Sequence, residues 1–320
     1  MRSIEICAGA GGQALGLEQA GFEHAVLVEI DKSACNTLRH NRPQWNVIEG
    51  DVKQFSAVPY AGIDLLAGGV PCPPFSVAGK QLGHEDERDL FPEAIRLVKE
   101  CNPNAVMLEN VKGLFEPKFT AYRDSIRKQL ESMGYQCFWE LVHANHYGVP
   151  QLRPRTILVA LKQRYAGFFH WPLGTVAPPP TVGQALYNEM SSNGWEGAGE
   201  WAKGADVVAP TIVGGSKKHG GADLGPTRAR AAWEKLGVDG TGLSDYPPEK
   251  GFIGNPKLTV KMASIIQGFP PEWVFTGKKT PAYRQVGNAF PPPVAKAIGS
   301  AIMKALLQAE DENGIKEQAL

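Results

Sequence analysis

A chain of 320 residues, 43% hydrophobic and 21% charged, can bury a sizeable core in one large domain or in two. Its 33 basic and 33 acidic residues cancel, so overall charge announces no polyanionic partner, and any nucleic-acid surface must arise from local segregation. The five scattered cysteines (Cys7, Cys35, Cys72, Cys101, Cys137) have neither CxxC pairing nor zinc spacing, which excludes a disulfide scaffold and predicts no metal.

In chain order, the expected strands are 4–7, 25–29, 47–49, 64–67, 105–108, 137–142 and 156–160. Amphipathic stretches at 13–20, 32–41, 90–101 and 119–133 fall between them, the last closed by Gly134. Alternation of short apolar runs with helical periodicity predicts an α/β fold on a parallel sheet. Character changes near Trp171. From Pro178-Pro179-Pro180 to about residue 256, Gly, Pro and Trp are plentiful and periodicity is lost, which predicts an irregular, smaller second domain. Regularity returns at Leu258, and Pro291-Pro292-Pro293 leads into a helix over 294–307, followed by a charged, frayed tail from Asp311. The predicted division is 1–175, 176–257 and a returning segment 258–320. No stretch approaches the roughly 20 apolar residues that cross a bilayer. With reduced thiols and no leader, the expected compartment is the cytoplasm.

Several strand ends carry chemistry. The first runs into Cys7-Ala8-Gly9-Ala10-Gly11-Gly12 and then a helix, a glycine turn that can receive a nucleotide-like cofactor. Glu29 ends the second strand, where a carboxylate can accept both hydroxyls of a ribose. Asp51 ends the third, where it can accept from an adenine amine. Strand ends of one parallel sheet line one edge, so these features share a crevice. They point to an adenosyl-type cofactor, with NAD left open at this level. A tight connection and solvated loop acids are the plainer reading of each one singly.

Gly68-Gly69-Val70-Pro71-Cys72-Pro73-Pro74-Phe75-Ser76 follows the fourth strand and presents a thiol in a rigid turn. Glu109-Asn110-Val111 follows the fifth, as a strand-terminal acid or as a helix cap. In Gln151-Leu152-Arg153-Pro154-Arg155, alternation puts Arg153 and Arg155 on one side of an extended segment, suited to orienting a carboxylate or to contacting phosphate. Gly287-Asn288 has turn chemistry.

Taken together and in this order, these motifs resemble the DNA (cytosine-5)-methyltransferase family over nearly the whole chain. The resemblance implies a Rossmann-like S-adenosylmethionine fold with a target-recognition domain at 176–257. It implies cofactor contacts at Cys7, Ala8, Gly9, Gly11, Gly12, Glu29, Ile30, Asp51, Val52, Pro71, Leu90, Asn288 and Ala289. Cys72 would attack C6 of a flipped cytosine, assisted by Glu109, Arg153, Arg155 and Ser76, in a loop that closes over the base. DNA contacts would come from Gln81, Thr211, Lys217, Lys218, Arg228 and Arg230.

The expected partner is double-stranded DNA, read by a monomer, with a cognate restriction endonuclease in the same system but no stable complex with it. Departures from the family pattern are Cys7 where Phe is usual, Ile30 where a larger residue is frequent, and Lys261, Met262 and Ile265 at usually charged positions. The rival reading is a transfer-RNA cytosine-5 methyltransferase of the same fold, against which the sizeable recognition segment argues.

Overall fold

Seven strands form one sheet in a computed structural model that describes residues 1–71, 89–214 and 221–318, the side chains only as far as 312. They are β1 (Arg2–Ile6), β2 (Glu23–Glu29), β3 (Val47–Glu49), β4 (Leu65–Gly68), β5 (Ala105–Val111), β6 (Tyr135–His143) and β7 (Pro154–Lys162), ordered β3-β2-β1-β4-β5-β7-β6. The first five are mutually parallel, whereas β7 is antiparallel to both β5 and β6. The expectation of a parallel sheet is corrected there. Only a 3-10 turn and a short extended stretch join β6 to β7, too little chain for the crossover that parallel pairing needs.

Helices α1 (Gly12–Gln19), α2 (Lys32–Asn41), α3 (Phe91–Cys101), α4 (Thr120–Ser132) and the short α5 (Gln163–Ala166) accompany these strands. Local signals set their ends. Asp31 caps α2 by accepting from the Ser33 and Ala34 amides, and Gly134, at φ +84°, supplies the left-handed residue after α4. One sheet face packs Ile4, Ile6, Leu66 and Leu108 against α3 and α4. The other packs Leu65, Ala67 and Met107 against α1, α5 and the long α11 defined below.

Residues 176–257 are more regular than expected. They contain α6 (Val182–Ser191), α7 (Ala198–Gly204) and α8 (Thr227–Glu234). Thr181 and Gln184 form a capping box that starts α6 just beyond the three prolines. The core here gathers Leu186, Trp201 and Trp233 with Leu258, Met262 and Ile266 of the next segment. That segment holds α9 (Val260–Ile266), α10 (Lys279–Asn288) and α11 (Pro292–Gln318). Met262 is buried in this core, while Lys261 pairs with Glu189 of α6 at 2.8 Å.

Two further expectations change. Gly287-Asn288 is no free turn but the last turn of α10, where a Cβ on Gly287 would lie 2.2 Å from the Gly214 amide nitrogen. Glycine is there for close approach. The tail from Asp311 continues α11 as far as Gln318, where Glu312, Lys316, Glu317 and Gln318 are good helix formers. No helix among the described residues is long and apolar enough to cross a membrane.

Candidate active site

The carboxyl ends of β1 to β5 share one edge of the sheet, and a cavity of about 780 Å³ opens there. Its walls include Cys7, Ala8, Gly9 and Gly12 from the glycine turn, Glu29 and Ile30 after β2, and Asp51 and Val52 after β3. Pro71, Leu90, Asn288 and Ala289 complete the predicted cofactor set that faces it. Gly11 does not. At φ +86° it caps α1, and a Cβ there would come within 2.7 Å of Leu38, so its place is in the turn and its packing. Gly12 lets α1 seat against Phe290, whose carbonyl would lie 2.1 Å from any Cβ.

Glu29 is held firmly. Its Oε2 accepts the Gly9 N–H and its Oε1 the Asp31 N–H, both at 2.7 Å. Burial pushes its carboxyl above the usual range, while these backbone bonds pull it back. Each oxygen keeps a lone pair that can accept a hydroxyl. Asp51 accepts the Lys53 N–H at 2.9 Å. Ile30 is 67% exposed at the rim, an apolar wall open to the cavity mouth.

At the other end lies Glu109, on the last residues of β5 and buried. Arg155, at the start of β7, pairs with it at 2.8 Å, because antiparallel pairing sets Arg155 opposite Val111. Burial raises the Glu109 carboxyl; Arg155 and, more distantly, Arg153 oppose that. The result is a carboxyl able to carry a proton at the cavity wall. Gly69 brings backbone against it, since a Cβ there would sit 3.4 Å from Glu109 Oε2. Asn110 donates to the Val70 carbonyl at 2.8 Å and so anchors the start of the proline segment.

The two arginines part company. Arg153 precedes β7 and is fully buried. Its guanidinium donates to the carbonyls of Ile212, Gly287 and Ala289 at 2.8–2.9 Å. It thus ties the sheet edge to the stretch before α8 and to the end of α10. Burial, then Arg155, press its pKa well below the ordinary value, yet a guanidinium keeps its proton and satisfies carbonyls.

Cys72, Ser76, Gln81, Lys217 and Lys218 lie outside the described residues. The chain on either side of 72–88 is joined, Leu90 N–H donating to the Pro71 carbonyl at 3.0 Å. Asp89 accepts from the Phe91 amide and from the Tyr122 hydroxyl. Thr211 donates its hydroxyl to the Leu152 carbonyl at 3.0 Å. Arg228 is exposed on α8, and half-buried Arg230 reaches the Thr227 hydroxyl at 3.4 Å.

Two wall residues escaped the sequence reading. Glu5, in the middle of β1, is fully buried with both carboxyl oxygens lacking a hydrogen-bond partner, and Gln13 Oε1 is in the same state. Burial holds the Glu5 acid well above its usual pKa; the Ala14 amide lowers it a little and Glu29 raises it again. Orphaned buried acceptors on a cavity wall call for a donor-rich ligand. The signal was present in Ile4-Glu5-Ile6: a lone acid in a strand buried on both faces.

The model of the family described as C-5 cytosine-specific DNA methylase matches residues 1–304. Type II methyltransferase M.NgoMIV of Neisseria gonorrhoeae is 57% identical over 307 residues, covering 95% of this chain and 97% of that protein. Type II methyltransferase M.NaeI of Lentzea aerocolonigenes is also 57% identical, over 95% of this chain and 75% of its own length. Among solved structures, the Entamoeba histolytica methyltransferase EhMeth superposes with a TM-score of 0.69 at 16% identity, over 96% of this chain and 98% of that one. S. pombe Dnmt2 methyltransferase gives 0.66 at 17%, over 96% and 99%. These two likenesses speak for the fold alone. The chain belongs to the C-5 cytosine-specific DNA methylases and is a DNA cytosine-5 methyltransferase.

Proposed function

We propose that this enzyme transfers the methyl group of S-adenosylmethionine to C5 of a cytosine turned out of a specific duplex site, as the modification half of a restriction-modification system. The observation that carries the reading is one cavity with ribose-accepting Glu29 at one end and the Glu109–Arg155 pair at the other.

The wall residues suit that cofactor. Glu29 would take the ribose hydroxyls, Asp51 the adenine amine, and Val52 and Ile30 the purine faces. Glu5 and Gln13, short of donors, fit the ammonium of the amino-acid end. When bound, S-adenosylmethionine supplies an electrophilic methyl group to C5 of the base.

The protein's own part begins with the Cys72 thiolate bonding to C6 of the pyrimidine, which places electron density on C5. Glu109 hydrogen-bonds N3 and the exocyclic amine, giving N3 a proton as the ring charge develops and taking it back once C5 carries the methyl group. Arg155 keeps Glu109 aimed. After methylation the C5 proton leaves to a base, for which an ordered water is the candidate. The electrons of that C–H bond re-form the ring double bond and expel the Cys72 sulfur. The base must leave the stack for a thiol to reach C6.

We also assign target recognition to residues 176–257, with Thr211, Lys217, Lys218, Arg228 and Arg230 against DNA, and take the enzyme to act as a monomer. The relatives' designation as type II methyltransferases favours DNA over transfer RNA as substrate. Bisulfite sequencing of plasmid DNA from cells expressing the chain tests this. Protection of one cytosine in one recurring sequence is the expected result; uniform conversion, with methylated transfer RNA instead, would overturn it.

A further inference from the structure

Beyond Glu109, on the β6 side of the same sheet edge, three basic side chains converge that the reaction does not use. His143 ends β6 and His146 lies in the 3-10 turn after it; their rings are 5.5 Å apart and inclined by 33°. Lys112 opens the 3-10 turn that follows β5. It is close enough that, after burial and His146, it lowers the pKa of His143. Lys112 and His146 are exposed and His143 is half-buried.

Among the described residues, these three lack the acidic partner that several basic residues on the helices have. Arg39, Arg42, Arg96, Arg127, Lys261 and Lys279 each pair with a carboxylate. Among the described residues, no ion pair or side-chain hydrogen bond is formed by Lys112, His143 or His146. Basic groups gathered without an acid raise each other's free energy, and a bound anion removes that cost.

Their location narrows the anion. Pairing across the sheet puts Val111 and Val142 on either side of Arg155, so Lys112 and His143 follow directly after the two residues flanking the Glu109–Arg155 pair. Exposed Val111 and Leu152 border the same edge, and the Leu152 carbonyl is held by Thr211. The cluster therefore adjoins the base-handling end of the cavity and the side assigned to recognition.

We propose that Lys112, His143 and His146 grip a backbone phosphate of duplex DNA beside the extruded cytosine. This rests on the reading of the cavity as the methylation site. A lysine charge and two imidazole N–H donors can surround one phosphate, positioning the strand without reading its sequence.

The test is fluorescence anisotropy with a short fluorescein-labelled duplex carrying the site that bisulfite sequencing identifies, titrated over a range of potassium chloride. The variant with Lys112→Gln, His143→Asn and His146→Asn should bind about tenfold more weakly at low salt. Its plot of log affinity against log salt should be shallower by about one. Lys112→Arg should keep the wild-type slope, and S-adenosylmethionine affinity by calorimetry should be unchanged. Should the triple variant fold poorly, Lys112→Gln alone still predicts the shallower slope. Wild-type affinity and slope in a folded variant, while the wild-type enzyme methylates plasmid DNA, would overturn this proposal and leave the methylation reading standing. A wild-type enzyme that neither binds nor methylates duplex DNA would overturn both.

Discussion

The sheet edge and the helical region at 176–257 hold their positions by different means. At the edge, each chemical group is delivered by a strand end: Glu29 by β2, Glu109 by β5, Arg155 by β7. Backbone pairing alone then determines which groups meet, as when the β5–β7 register sets Arg155 opposite Val111. The helical region has no strand among its described residues, and it stays in place through Trp201, Trp233 and Met262 in a shared core and through Arg153 from below. Strand-borne chemistry is rigid and local. A helix-borne surface can vary while the core beneath it is kept.

That contrast predicts that substitutions at the edge remove turnover and spare folding, while those at the junction do the reverse. The largest effect should come from Cys72→Ala, which abolishes methyl transfer yet leaves calorimetric binding of S-adenosylmethionine largely intact; residual turnover near wild type would break the mechanism. Glu109→Gln should lower kcat by about 10²–10⁴, measured as tritiated methyl incorporation, with the melting temperature little changed. Arg153→Met is the opposite kind of change. It leaves the carbonyls of Ile212, Gly287 and Ala289 without their donor, and should cost about 3 kcal/mol or more in urea unfolding. If Arg153→Met were as stable as wild type and merely inactive, the division of labour between the arginines would be wrong.

A smaller effect should mark the cofactor end. Burial keeps the Glu5 acid protonated above its ordinary range in the free enzyme. Pairing with an ammonium lowers that pKa, so binding releases a proton and affinity rises with pH until the free-enzyme value is passed. Calorimetry in buffers of different ionisation heat should detect the proton. Glu5→Gln should remove it and weaken binding about tenfold. Equal proton release by wild type and variant would move the ammonium elsewhere.

Much of the edge was legible beforehand because its signals are local. A glycine turn after an apolar strand, and acids at two strand ends, need only the rule that parallel strands share one edge. The antiparallel return of β7 was missed, since single-strand patterns carry no direction and only the short link after His143 hinted at it. Glu5 was missed because it stood inside a strand rather than at its end. Arg153 and Arg155 looked equivalent by alternation, yet Pro154 begins the strand between them and only Arg155 enters it. In the helical region the Thr181–Gln184 capping box was readable, but Gly and Trp density masked the periodicity of α7 and α8. The charges of this region nearly cancel, and so no local pattern marks the DNA contacts proposed for it.

The most direct measurement uses duplex DNA in which the target cytosine is replaced by 5-fluorocytosine. Fluorine at C5 cannot leave as a proton does, so an enzyme that works through sulfur should stall bonded to the base once the methyl is transferred. Mass spectrometry of the digested complex should find the modified pyrimidine on the peptide containing Cys72, and only with S-adenosylmethionine present. No adduct on a duplex that is methylated when it carries ordinary cytosine, or an adduct at another residue, would contradict the account.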